Sequence, residues 1–125
     1  MNVALWICQI LLAVAFLTSG TMKATQSKQR MLATGQTGVR DYALGFIRFI
    51  AFCELLGAVG LILPIALNVL PILTPIAAVG HGIIMLGAAR AHTRLHEARN
   101  VAINLGLLAL SVFVAFGRFA DTLAA

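Results

Sequence analysis

Glu54 stands near the middle of GFIRFIAFCELLGAVGLILP (Gly45–Pro64), a run that is otherwise apolar or small apart from Arg48. A carboxyl there can accept hydrogen bonds from a ligand or a neighbouring chain segment, or hold a proton. His81, in VGHGIIML, adds an imidazole with one donor and one acceptor nitrogen. Ser111, in LALSVFVAF, adds a hydroxyl. This set suits hydrogen bonding and proton handling for a small molecule. No Gly-rich phosphate loop, nucleophile elbow or haem-attachment motif accompanies it.

Two other groupings are weaker. His92, His96 and Glu97 read H-x-x-x-H-E rather than H-E-x-x-H, and no third ligand is evident. No metal is therefore expected, and the segment reads as a solvated basic loop in which Arg94 pairs with Glu97 at i, i+3. Cys8 and Cys53 form no C-x-x-C and lie in apolar runs, so they read as small buried hydrophobes rather than a redox pair.

The elements that must position these residues follow from composition. The 125 residues are 61% hydrophobic and 10% charged, with a mean hydropathy of +0.98. Soluble domains run at about 45–50% apolar and about 25% charged, so this is a membrane protein of one domain, residues 1–125. The net charge of +5 does not point to nucleic acid, because the basic residues fall between apolar runs as in the cytoplasmic loops of membrane proteins. The first run lacks a basic leader and an A-x-A-like site, and reads as a helix of the mature protein.

Four segments reach the roughly 20 apolar residues needed for a span, at about 3–22, 43–66, 70–89 and 101–120. The fold class predicted is all-α, an integral membrane four-helix bundle. Lys23 to Tyr42 is expected as a long polar connection, Leu67 to Leu70 as a tight turn framed by Pro64 and Pro71, and Arg90 to Asn100 as a short basic loop. Pro71 suits a first helical turn and Pro75 is expected to bend the helix. The positive-inside rule places the first and third connections in the cytoplasm and both termini outside.

Residues seven apart share a helix face. Asn104, Ser111 and Arg118 fall on one stripe, with Asn100 before them; Gln9, Phe16 and Lys23 fall on another. Thr74, His81 and Met85 continue toward His92, and Glu54 aligns with Gly57 and Leu61. Lipid penalises such groups unless they face protein or trapped water, so the stripes are expected to point inward. Counting about 1.5 Å per residue puts Glu54, His81 and Ser111 near the bilayer midplane. There Glu54 can accept from His81, or serve only to tie helices together. Arg48, Lys23 and Arg118 are expected to snorkel toward headgroups, and Gly57 and Gly60 to allow close helix packing.

FLTSGTMK (Phe16–Lys23), RFIAFCELLGAVGLILP (Arg48–Pro64), LTPIAAVGHGIIMLGAARAHTRLHE (Leu73–Glu97) and FGRF (Phe116–Phe119) occur in order and span nearly the whole chain. In this ordered set the chain resembles the DoxX-like family of small four-span bacterial membrane proteins. The resemblance implies the same bundle, a bacterial cytoplasmic membrane and an association with membrane redox systems. The family-like positions are Gly20, Lys23, Glu54, Gly57, His92, Glu97 and Arg118; His81 departs from the pattern, which usually has an apolar residue there.

The function expected is an accessory subunit of a membrane redox system, binding a quinone or other small lipophilic ligand in a polar midplane pocket. Glu54, His81 and Ser111 are its ligand-binding or proton-handling groups. Electrons would come from a redox-enzyme partner, since the chain carries no recognisable redox centre. A small permease or ligand-binding membrane protein, acting as a homo-oligomer, and a purely structural subunit are the alternatives.

Overall fold

The computed structural model describes residues 2–124. They form four long helices, α1 (Asn2–Thr25), α3 (Leu44–Leu67), α4 (Leu73–Arg94) and α5 (Ala98–Ala124), and one short one, α2 (Lys28–Ala33). The long helices are each long and apolar enough to cross a membrane. Their 22 to 27 residues correspond to roughly 33–40 Å at 1.5 Å per residue. That exceeds a hydrocarbon core of about 30 Å, so helix ends project beyond it.

The helices run antiparallel in a ring, with α1 against α3, α3 against α4, α4 against α5, and α5 closing on α1. Both described ends of the chain share one end of the bundle with the α3–α4 turn. We call this the terminal end. The other, basic end carries the remaining connections and eight of the nine Lys and Arg residues, all but Arg118.

The distribution of side chains is that of a protein solvated by lipid. Phe49, Phe52, Leu56, Val59, Ile83, Val112 and Phe116 face outward. Gln9, Glu54, Thr74, His81, Asn104, Ser111 and Arg118 are buried alongside Leu12, Phe16, Leu61, Met85 and Val114. The polar stripes therefore point inward, where the bundle rather than water must satisfy them.

Helix ends differ from the sequence reading for local reasons. The third span does not begin at Leu70, which has φ 47°, as Asn68 has φ 53°. These left-handed residues make the turn, and α4 starts at Leu73. Pro71 therefore precedes the helix. Pro75 occupies its first turn, where no intrahelical partner for an N–H exists, so it removes nothing from the ladder. Pro64 does interrupt α3, leaving the Gly60 carbonyl without its usual donor. Thr74 Oγ1 donates to that carbonyl at 2.9 Å, stitching α4 to α3.

At the basic end α4 and α5 continue well past their apolar cores, leaving only Leu95–Glu97 between them, with His96 at φ 59°. The long polar connection is largely ordered. Ser27 accepts from the Arg30 amide at 3.1 Å and caps α2. Met31, on α2, packs with Val39 of the 3-10 turn Thr37–Val39 and with Ile47 of α3. These apolar residues fold the connection back as a cap over the end of the bundle.

Candidate functional site

Lys23 does not snorkel. Its Nζ lies 2.6 Å from Oε1 of Glu54, whose side chain is fully buried. Gly20, one turn earlier, permits this approach: a Cβ there would lie 2.9 Å from Leu55 Cγ and 3.3 Å from the Ala51 carbonyl. With α1 and α3 that close, the ammonium reaches the carboxylate more readily than the headgroups, and a buried acid needs a counterion. Arg48 is also turned inward, donating to the Lys23 carbonyl. That oxygen lies in the last turn of α1, where carbonyls lack helical partners and the helix dipole favours a cation. Glu54 Oε2 is buried without a hydrogen-bond partner.

His81 meets Glu54 through the backbone. Its Nε2 lies 3.3 Å from the Glu54 carbonyl oxygen rather than from the carboxylate, which Lys23 occupies. The ring stacks on Phe16 at 3.7 Å between centroids and 12° between planes. Gly57 makes its place, since a Cβ there would fall 2.1 Å from Nε2. Nδ1 is buried and unpartnered. Ser111 is also buried, but its Oγ donates to Leu107 O of its own helix at 2.9 Å. Glu54 and His81 are thus adjacent while Ser111 engages neither, and neither of the two cavities described below is lined by all three.

Open space lies one level toward the basic end. A cavity of about 550 Å³ is bounded by the four long helices and by segment 34–42, the part of the cap that follows α2. Phe16, Phe46, Ile47, Ile50, Met85 and Leu107 give it apolar walls, and Ser19, Lys23, Gln36, Tyr42, His92, Asn100 and Asn104 give it polar groups. Its size falls within the roughly 300–1,000 Å³ of small-molecule sites, which combine apolar walls with a few polar groups. Asn100 and Asn104 belong to a stripe visible in the sequence. Gln36 and Tyr42 lie in an irregular connection, where no periodicity marks them.

A latch closes the cap over this cavity. Thr37 Oγ1 donates to Glu97 Oε1 at 2.8 Å, and His92 Nδ1 lies 2.7 Å from the same oxygen. Gly38 abuts the imidazole, with space for a Cβ only 3.1 Å from Nε2. The His92 hydrogen bond, then that from Thr37, holds the Glu97 carboxyl below its ordinary range. The expected Arg94–Glu97 pair is absent because α4 ends at Arg94 and His96 turns left-handed, which breaks the i, i+3 register. Among the described residues no group of three His, Cys, Asp or Glu side chains could hold a metal ion.

The terminal end is filled instead. Arg118, 3% exposed, donates through Nε to Gln9 Oε1 at 2.6 Å and through Nη1 to Asn2 Oδ1 at 2.8 Å and Asp121 Oδ2 at 3.0 Å. Gln9 Nε2 donates in turn to Leu61 O at 2.6 Å. The guanidinium also lies 5.4 Å from the Trp6 ring centroid. Arg118 therefore binds α5, α1 and α3 together rather than reaching outward.

The family model of the DoxX-like family matches residues 7–114. This chain belongs to the DoxX-like family. No curated protein and no solved structure matches it. The matched range holds both halves of the basic-end arrangement, the Gly20–Lys23–Glu54 contact and the His92–Glu97 latch. Arg118 lies beyond it.

Proposed function

We propose that this DoxX-like protein binds a small lipophilic molecule with a hydrogen-bonding head, of the quinone class, in the basic-end cavity. It does so as an accessory subunit of a membrane redox system whose partner enzyme supplies the electrons. The observation that carries this reading is the cavity itself, with apolar walls and a part-buried ammonium, Lys23, on its lining, paired with a fully buried carboxylate. Lys23 donates to a head carbonyl, and Glu54 behind it keeps the ammonium in place and stands ready to take up a proton as the head's charge changes. Tyr42 and Asn104 add hydrogen-bonding groups to the cavity's lining. The site is thus nearer the basic end than the midplane set of Glu54, His81 and Ser111. The redox assignment draws on the family resemblance. The concentration of eight basic residues at one end supports placing that end in the cytoplasm of a bacterium, with the termini outside.

A structural subunit is favoured by one observation of its own: Lys23 and Glu54 already satisfy one another. The double variant Lys23→Met/Glu54→Leu separates the two readings, because replacing both members of a buried pair by apolar groups tends to preserve the fold. The protein would be purified gently from its native membrane and its bound small molecules identified by mass spectrometry. We expect a stoichiometric lipophilic acceptor on the wild type and its loss from the folded double variant. Full retention by the double variant would sink the assignment of the cavity, and a ligand-free wild type would favour the structural subunit.

A further inference from the structure

A second concavity, of about 780 Å³, runs along the outer face of the bundle between α3 and α4. Its lining is almost wholly apolar, and Gly57, Gly60, Ala77 and Gly80 keep its floor low. Along α3 it extends from Phe49 to Leu67, roughly 27 Å at 1.5 Å per residue, most of a hydrocarbon core of about 30 Å. Ile50, Ile83 and Ile84 line both this groove and the basic-end cavity. The two spaces therefore adjoin at one three-residue partition between α3 and α4. A polar-lined chamber opening beside a long apolar trough has the shape of a molecule with a compact head and a single long chain.

We propose that the ligand is a long-tailed amphiphile that enters sideways from the bilayer between α3 and α4, its head in the cavity and its tail in the groove pointing toward the terminal end. This rests on the reading that the cavity holds the head, and adds to it the tail, its track and the route of access. The isoleucines are the gate: apolar and rotatable, they part for a chain yet close the chamber to lipid otherwise. Lipid tails are as apolar as the groove, so the groove fixes where the tail lies more than how tightly the ligand binds.

The test is therefore one of position. Two photoreactive benzoquinones are added to the full-length protein in lipid nanodiscs, one with a diazirine on the head and one with it at the end of a decyl tail. Labelled residues are mapped by mass spectrometry. Gly80→Phe places a ring in the groove, and since nothing lies within 4 Å of a Cβ at Gly80 it leaves the packing intact. Gly106→Phe, equally open but outside both spaces, is the control. We expect head labels on cavity residues such as Phe46 and Asn104, and tail labels on Leu56, Val59 and Ile76, which line the groove within a decyl chain's reach of the isoleucines. Gly80→Phe should abolish the tail labels and Gly106→Phe should not. Head labels in the cavity with tail labels scattered over α1 and α5, or unmoved by Gly80→Phe, would overturn the groove and leave the cavity reading standing. Head labels absent from the cavity would overturn both.

Discussion

The two ends of this bundle treat buried charge in opposite ways. At the terminal end Arg118 is wrapped by Gln9, Asn2 and Asp121, and Gln9 passes the connection on to Leu61. Gly117 sits against Leu5 so closely that a Cβ would lie 2.5 Å from a Leu5 methyl. At the basic end Lys23 and Glu54 have essentially only each other, and about 550 Å³ of space lies beside them. A membrane interior demands that polar groups be satisfied by protein, and each end falls one atom short of that demand, at Arg118 Nη2 and at Glu54 Oε2. Only one leaves room for something else. The contrast separates polar groups that hold helices together from polar groups kept available, which their residue types alone do not.

The comparison breaks most visibly at the Lys23–Glu54 pair. Lys23→Met alone leaves a buried carboxylate without its cation, and Glu54→Leu strands the ammonium. Removing one partner of a buried pair costs about 3–5 kcal/mol, whereas replacing both is often close to neutral. Thermal unfolding in detergent should show both single variants strongly destabilised and the double variant near wild type. Equal destabilisation by all three would mean that the pair also performs packing that apolar side chains cannot replace. The terminal end should behave differently, because its network has several members. Gly57→Ala tests the boundary between the ends: its new methyl meets His81, which cannot retreat because Phe16 is stacked on it. Overpacking of this kind costs about 1–3 kcal/mol, and His81→Ala in the same chain should restore most of it. Gln9→Leu comes next, at about 1–3 kcal/mol, since it removes an acceptor from Arg118 and a donor from Leu61 O while Asn2 and Asp121 remain. Ligand retention should fall in the Lys23 and Glu54 variants and stay unchanged in Gln9→Leu, which sharpens the division between the ends.

Much of this architecture is legible in the sequence because lipid makes periodicity a strong signal. Glu54, His81, Asn104, Ser111 and Arg118 all point inward as their seven-residue spacing implies. What spacing does not carry is the partner. Lys23 and Arg118 sit near helix ends, where snorkelling is the usual outcome. Whether they turn inward depends on how closely another helix approaches, set by Gly20 for Lys23 and by Gln9 on a neighbouring helix for Arg118. The same holds for His81, which finds a carbonyl because Lys23 has taken the carboxylate. The cavity is less legible still. A void is a property of four helices and a cap together, and Gln36 and Tyr42 reach it from a connection whose polar composition resembles any loop.

The smallest effect should come from the cap, where the basic end meets water. Glu97 accepts from Thr37 and lies beside His92, and these contacts hold its carboxyl below the ordinary carboxylate range. A carboxyl whose folded-state pKa is depressed contributes stability that is fully present above its unfolded value and is lost as the pH falls through the folded one. The latch should therefore be closed at neutral pH and loosen in acid, below the usual carboxylate range. Hydrogen–deuterium exchange of residues 34–40 is the measurement. Exchange there should rise on acidification, after correction for the intrinsic pH dependence of exchange, while exchange near Arg118 stays flat. Glu97→Gln should show the loosened cap already at neutral pH and lose most of the acid response. A cap that exchanges equally in wild type and Glu97→Gln at every pH would mean that Met31, Val39 and Ile47 hold it without the latch. The cavity's cover would then be fixed by packing, and the one end of the bundle built to open would be its side.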